Sequence, residues 1–513
     1  MNPGNGRKFQ STRASRNELR RLSSFFSVHP EGGKENGAPL DAGLTILLAV
    51  VMIIGLAVPG WAEEQQMSFG RFGAVHLYYE SPRPSRVVLF VSGDGGWNLG
   101  VVDMARTLAS LDALVVGVDI VHYLRELALV SEPCGYPAGD FEQLSQFVQK
   151  SLDLPAYITP VLVGYSSGAT LIYAALVQAP ATTFRGGLSL GFCPDLTLGK
   201  PLCRGSGLEW TTGPKPGSYV FQPSATLEVP WVVLQGTADQ VCDPGSTESY
   251  AKRVRKAEII LLPKVGHGFA VQRNWMPQFR GAFSRIFQEE IPPAETPVEN
   301  LSGLPLVEVP ARGNAGDLLA VHLTGDGGWG VTDKGLSAEL AGQGIPVVAL
   351  NSLKYFWKRR TPESAAQDLS RILSRYIQVW GKARVILIGY SLGADVLAFI
   401  YNRLPAELQQ KVVSVVLLGP SPTVEFEFHV GDWLGRSSGK SALPVLPEVE
   451  KITKAQIICF YGEEDKENIC REISSRMGRV KVISLPTGHR FGSDFRPIAD
   501  AILANVPRSA TLP

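Results

Sequence analysis

Along most of the chain, short β-branched apolar runs alternate with longer stretches of helical composition. Val87 to Val91 (VVLFV) is one such run, Arg384 to Ile388 and Val412 to Leu418 are two more, and Ala394 to Leu404 (ADVLAFIYNRL) between the latter pair is helix-like. Strands separated by helical stretches predict parallel sheets with helices on both faces. The pattern also repeats. VVLFVSGDGGWNLG, starting at Val87, returns as LAVHLTGDGGWGV from Leu319, and VGYSSGA (Val163 to Ala169) returns as IGYSLGA (Ile388 to Ala394). WVVLQGTAD ending at Asp239 returns as IICFYGEED ending at Asp465, and Gly266-His267-Gly268-Phe269 returns as Gly488-His489-Arg490-Phe491. The offsets run from 222 to 232 residues, too long for a solenoid repeat and nearly constant, as in a duplicated domain.

These boundaries predict four segments: a polar, basic N-region plus signal at 1–62, a first α/β domain at 63–290, a Pro-rich linker at 291–303, and a second α/β domain at 304–513. Each domain is expected to be a mostly parallel sheet with helices on both faces. Gly43 to Val58 is an uncharged apolar run, shorter than the roughly 18 residues of a spanning helix. It follows a basic flank and precedes Gly60-Trp61-Ala62, whose small residues suit a cleavage site. A secretory signal is expected, with an uncleaved anchor as the alternative. Either exports the remainder.

Composition narrows the classes. The 513 residues are 45% hydrophobic and 19% charged, a globular balance, and a net charge of +1 gives no support to nucleic-acid binding. Six cysteines follow the signal, an even count that suits disulfides in an oxidising compartment. Cys459 and Cys470 form the natural pair, while Cys134, Cys193, Cys203 and Cys242 allow three connectivities.

Gly-x-Ser-x-Gly between a strand and a helix is the nucleophile-elbow pattern, and a single match is weak. Two matches, each followed by an aligned acid and histidine, carry more weight. The order Ser166, Asp239, His267 recurs as Ser391, Asp465, His489, the Ser…Asp…His order of α/β-hydrolases. A serine hydroxyl needs a base, and the base needs an acid to hold its tautomer. Glu464 competes with Asp465 for that acid role. Gly-Asp-Gly-Gly-Trp after an early strand predicts half of an oxyanion hole: Gly95 and Gly96 in one copy, Gly327 and Gly328 in the other. The second donors are expected at Ser167 and Leu392. Asp94 and Asp326 either cap that turn or recognise a cationic group.

Two look-alikes fail. Gly325-x-Gly327-x-x-Gly330 imitates a dinucleotide fingerprint, but the acid expected later is Asn351 in this copy, and the copy with Asp119 lacks the last glycine. Gly435 to Ser441 is one residue short of a P-loop. With no HExxH or comparable spacing, neither a metal nor a cofactor is expected.

Together these residues resemble the AcvB/VirJ family of bacterial virulence proteins. The resemblance is strongest over Leu304 to Val506, in TGDGGWG, in Lys354 to Glu363 (KYFWKRRTPE), in GYSLGADVL and in the cysteine pair around YGEED. The double domain with an export signal resembles the two-domain members. Arg490 departs from the double-histidine form associated with the family. The resemblance implies a periplasmic serine hydrolase acting on aminoacylated phosphatidylglycerol at the membrane surface, especially lysyl-phosphatidylglycerol, with secretion-machinery contact as a further link. Tyr355, Lys358 and Arg359 lie just after a strand, where α/β sheets bind ligands, and suit a phosphate-bearing headgroup beside Trp329. Asp326 and Asp395 are candidate partners for a lysyl amine. Thr170 takes the place of Asp395 in the first copy, so a cationic acyl group is expected only at the second.

Overall fold

The computed structural model describes residues 65–129, 132–288, 301–313, 316–428, 442–492 and 494–507. The signal segment, most of the linker and the P-loop look-alike lie outside the described residues.

The first sheet has eight strands. Its members are β1 (Gln65–Ser68), β2 (Ala74–Tyr78), β3 (Arg86–Val91), β4 (Ala113–Val118), β5 (Val161–Tyr165), β6 (Gly186–Leu190), β10 (Trp231–Gly236) and β11 (Ala257–Leu262). They run in the order β1-β2-β4-β3-β5-β6-β10-β11, antiparallel at β1-β2 and β2-β4 and parallel thereafter. Between β6 and β10, β7 (Asp195–Thr197), β8 (Trp210–Thr212) and β9 (Ser218–Phe221) form a small antiparallel sheet of their own.

The second sheet has seven strands: β12 (Leu306–Val309), β13 (Leu318–Leu323), β14 (Val347–Leu350), β15 (Arg384–Tyr390), β16 (Val412–Leu418), β19 (Gln456–Gly462) and β20 (Lys481–Leu485). Their order is β12-β14-β13-β15-β16-β19-β20, with only β12-β14 antiparallel. Between β16 and β19, β17 (Thr423–Val424) and β18 (Leu443–Pro444) pair as a short antiparallel ribbon. The two large sheets share one plan, and the fold is that of an α/β-hydrolase in each lobe. Helices cover both faces, so the central strands are mostly apolar: every residue of β4 (ALVVGV) is buried.

By its internal contacts, Trp61–Pro513 is one compact unit. The seam between the lobes explains why. Trp357 is 2% exposed, and its ring packs on Phe428 and Tyr157 while its indole N–H donates to the Leu154 carbonyl at 2.8 Å. Lys150 donates to the Trp357 carbonyl and pairs with Glu427 at 2.9 Å. The aromatics expected to meet a headgroup therefore serve the cores: Tyr355 is 1% exposed and Phe356 fully buried, because a large apolar ring gains more from burial than from a water-filled cleft.

All six cysteines are paired, as Cys134–Cys203, Cys193–Cys242 and Cys459–Cys470. Three disulfides belong in an oxidising environment. Among the described residues, no helix is long and apolar enough to cross a membrane.

Candidate active site

Both serines sit where a buried strand turns abruptly into a helix. Ser166 follows β5 with φ 55° and precedes the helix Ser167–Gln178; Ser391 follows β15 with φ 51° and precedes the helix Leu392–Asn402. A positive φ at a non-glycine residue is costly and is maintained only when its surroundings enforce it. The flanking glycines explain how the turn closes. A Cβ on Gly168 would stand 2.3 Å from the Ser92 carbonyl oxygen, and one on Gly393 would stand 2.1 Å from that of Leu323. Only glycine lets the helix approach the neighbouring strand this closely.

The strand ends then bring the acid and the base to each serine. In the first lobe, Ser166 Oγ lies 2.9 Å from His267 Nε2, and His267 Nδ1 lies 2.9 Å from Asp239 Oδ2. In the second lobe, Ser391 Oγ is 3.0 Å from His489 Nε2, and His489 Nδ1 is 2.7 Å from Asp465 Oδ2. A carboxylate can only accept, so each Nδ1 carries the proton and each Nε2 offers its lone pair to the hydroxyl. This is the geometry of a proton relay for nucleophilic attack by serine. Asp465, not Glu464, meets the imidazole; Glu464 is exposed.

The acids are held differently. Asp239 Oδ1 accepts from the Val241 and Cys242 amides, and its Oδ2 also accepts from Gln235 Nε2. Burial pushes its carboxyl up, but the Cys242 amide, the His267 ring and the Val241 amide outweigh burial and hold it below the usual range. Asp465 Oδ1 accepts from the Glu467 amide at 3.3 Å. Asp239, Cys242 and His267 also form the one cluster of possible metal ligands among the described residues. Cys242 is already disulfide-bonded and the other two bond each other, so the cluster is part of the relay.

The oxyanion donors expected from sequence need correction. The Gly96 amide closes a turn onto the Gly93 carbonyl, and the Gly328 amide closes the matching turn onto Gly325. The Gly327 amide donates to Asp326 Oδ1 at 2.9 Å. A Gly-Asp-Gly-Gly loop folds as a tight turn, and that turn occupies these three donors. Ser167 and Leu392 survive as candidates because the first amide of a helix has no intrahelical carbonyl to bond. Gly95 and Asp94 lie in the loop that lines the Ser166 cavity. Asp94 and Asp326 act as loop fasteners: Ser167 Oγ donates to Asp94 Oδ1 at 2.6 Å, while Asp326 holds the Gly327 amide. Asp119 and Asn351, which imitated a ribose-binding position, cap the helices that follow them.

The remaining expected substrate residues separate. Trp329 lines a cavity at the lobe seam, and its carbonyl accepts from Thr182 of the first lobe. Asp395 is 6% exposed and accepts from the Ser421 amide; burial pushes its carboxyl up to about 8, and Asp326 and Asp465 add to the rise. Thr170, at the aligned place, likewise ties the elbow helix to the loop beyond the next strand by donating to the Cys193 carbonyl. Tyr355 is removed from the surface altogether, its hydroxyl donating to Asp368. Lys358 and Arg359 are exposed. The residue of that segment lining the seam cavity is Lys354, which motif reading passed over.

One cavity opens at a relay serine, and a larger one lies at the seam between the lobes. About 300 Å³ opens beside Ser166, lined by Gly93, Asp94, Met104, Tyr165 and Gly268. About 620 Å³ lies between the lobes, beside the Gly327 and Trp329 loop of the second. Arg490 aims its charge across this seam, where it opposes the burial-driven rise of Glu142.

The chain is similar to several known proteins. Solved structures similar to the chain include the esterase domain of a Rhodothermus marinus protein, at 14% identity over 44% of this chain and 98% of that one with a TM-score of 0.31. An α/β serine hydrolase without lid from Xanthomonas campestris is 20% identical over 47% of this chain and 98% of that one, with a TM-score of 0.30. Dienelactone hydrolase from Anabaena variabilis is 16% identical over 45% and 98%, with a TM-score of 0.32. No curated protein matches the chain. The family described as bacterial virulence protein (VirJ) matches residues 85–186 and 317–510, more than half of the sequence and parts of both lobes. The chain belongs to the VirJ family.

Proposed function

We propose that this protein is an exported serine hydrolase that cleaves the aminoacyl ester of lysyl-phosphatidylglycerol, releasing lysine and phosphatidylglycerol. The observation that carries the hydrolase reading is the relay of Ser391, His489 and Asp465. Ser391 Oγ attacks the ester carbonyl carbon while His489 Nε2 takes its proton, and the developing oxyanion is met by the Leu392 amide. Collapse breaks the bond to the glycerol oxygen, which leaves with the proton from His489. Water, deprotonated by the same imidazole, then attacks the acyl-enzyme and frees lysine.

The substrate rests on the family resemblance, supported by carboxyl groups near the second serine: Asp326 and Asp465 both stand close enough to Asp395 to favour its protonation. A cationic acyl group would relieve that repulsion. Export rests on the apolar N-terminal run and the three disulfides. The intact relay in the first lobe, with its smaller cavity, favours a second esterase centre for a smaller acyl group over a purely docking lobe.

The test uses full-length protein, its Ser166→Ala and Ser391→Ala variants, a fluorophosphonate probe and vesicles containing lysyl-phosphatidylglycerol. Both serines should label, and only Ser391→Ala should stop lysine release. Absent labelling at Ser391 would remove the hydrolase reading; labelling with intact lipid would remove the substrate.

A further inference from the structure

The seam cavity is built from opposite edges of the two sheets. Its first-lobe wall includes residues just before parallel strands: Arg185 before β6, Pro230 before β10 and Lys256 before β11. Its second-lobe wall includes Leu306 to Glu308 of the edge strand β12 and residues that follow strands: Gly327 and Trp329 after β13, and Asn351, Leu353 and Lys354 after β14. The back of the first lobe thus roofs the catalytic edge of the second, and about 620 Å³ remains between them. That is ample for a lipid headgroup.

The charges in this cavity are unevenly matched. Arg185, Arg255, Lys256 and Lys354 line it, and among the described residues no carboxylate forms an ion pair with any of the four. Of the three lining carboxyls, Glu308 accepts from Tyr376, Glu228 faces Lys334, and Glu142 lies toward Asp326. Arg185 and Lys354 come from different lobes and repel. Lys354 remains open to solvent in the cavity, yet the surrounding protein pushes its ammonium down, and the Arg185 charge pushes it further. Arg185 is fixed in place by the Phe287 carbonyl at 3.0 Å and by that residue's ring. Two like charges lining one cavity, each without a carboxylate partner among the described residues, offer a place for an anion.

We propose that the seam cavity binds the phosphodiester of the substrate, with Lys354 of the second lobe and Arg185 of the first as its cationic clamp, so that the second catalytic centre is completed by the first lobe. The assignment of this anion to the substrate rests on the aminoacyl-phospholipid reading; the diester site itself is testable without it.

The experiment is calorimetric titration of full-length Ser391→Ala with sn-glycero-3-phospho-1-glycerol, and separately with inorganic phosphate. The same titrations follow with Lys354→Glu and the milder Lys354→Gln added. The diester should bind Ser391→Ala, at least tenfold more weakly with Lys354→Glu, and by a smaller factor with Lys354→Gln; circular dichroism verifies folding. Undiminished binding in the folded variants overturns the proposal, as does no diester binding to the parent. Phosphate binding as tight as the diester shows a general anion site and overturns the diester assignment. Failure of the wild-type protein to release lysine from vesicles, with diester binding intact, would refute the substrate reading alone.

Discussion

The two Ser-His-Asp relays hold the same three residue types at nearly the same distances, yet they are supported in opposite ways. Around Ser166 the support is internal. The Asp239 side chain is fully buried, held by two amides and Gln235, and Cys193–Cys242 fastens the loop that supplies one of those amides. His267 is 17% exposed. Around Ser391 the relay is looser, with His489 40% exposed and Tyr461 standing at the position aligned with Gln235. Its disulfide, Cys459–Cys470, lies between β19 and the helix Cys470–Arg476 instead. Beside the Gly327 and Trp329 loop of the second lobe, the seam holds a charged cavity about twice as large as the one at Ser166. The relay geometry is alike in the two lobes, and the surroundings differ.

The sharpest way to break this contrast is at the nucleophiles. Ser391→Ala should lower lysyl-lipid hydrolysis by at least about a thousandfold, while Ser166→Ala leaves it within about twofold, as measured by lysine release. Equal losses would mean the centres are not independent. Next in size is the seam. Trp357→Ala removes a buried ring and an indole hydrogen bond, and should cost about 3–5 kcal/mol, seen as a separated unfolding step in calorimetry. An unchanged single transition would show that the lobes are not coupled through this residue.

Asp395 provides a pH test. In the folded chain its carboxyl keeps its proton up to about 8, whereas an exposed aspartate loses it at about pH 4. Between those values the folded state holds the extra proton, so stability falls as pH rises through that window. Asp395→Asn should remove this fall, gaining on the order of a few kcal/mol relative to wild type at about pH 9 and little at about pH 4. Thermal denaturation at both values checks it, and an equal gain at each would refute the linkage. The smallest effect is expected at Gln235. Gln235→Ala should slow turnover of a small p-nitrophenyl ester by the first centre about tenfold, from the loss of about 1–2 kcal/mol of support to Asp239. Measured in a Ser391→Ala background, a loss below about twofold would make Gln235 incidental to the relay.

Periodicity and spacing made the α/β architecture and both relays legible, because each rests on short-range rules. A strand must be apolar when both its faces are covered, and an elbow needs glycine on either side of the serine. An acid–histidine pair must stand at successive strand ends. The same residues were misleading wherever a side chain or amide had two possible partners. The Gly96 and Gly328 amides were taken up in closing a turn and the Gly327 amide by Asp326, and the YFW aromatics went into the cores and the seam.

The sequence by itself determined which residues could do chemistry and in which order the strands would present them. Only the tertiary structure decided that the back edge of one lobe covers the catalytic edge of the other. Docking between lobes depends on shape and charge summed over residues far apart in the chain, and no local pattern encodes that sum.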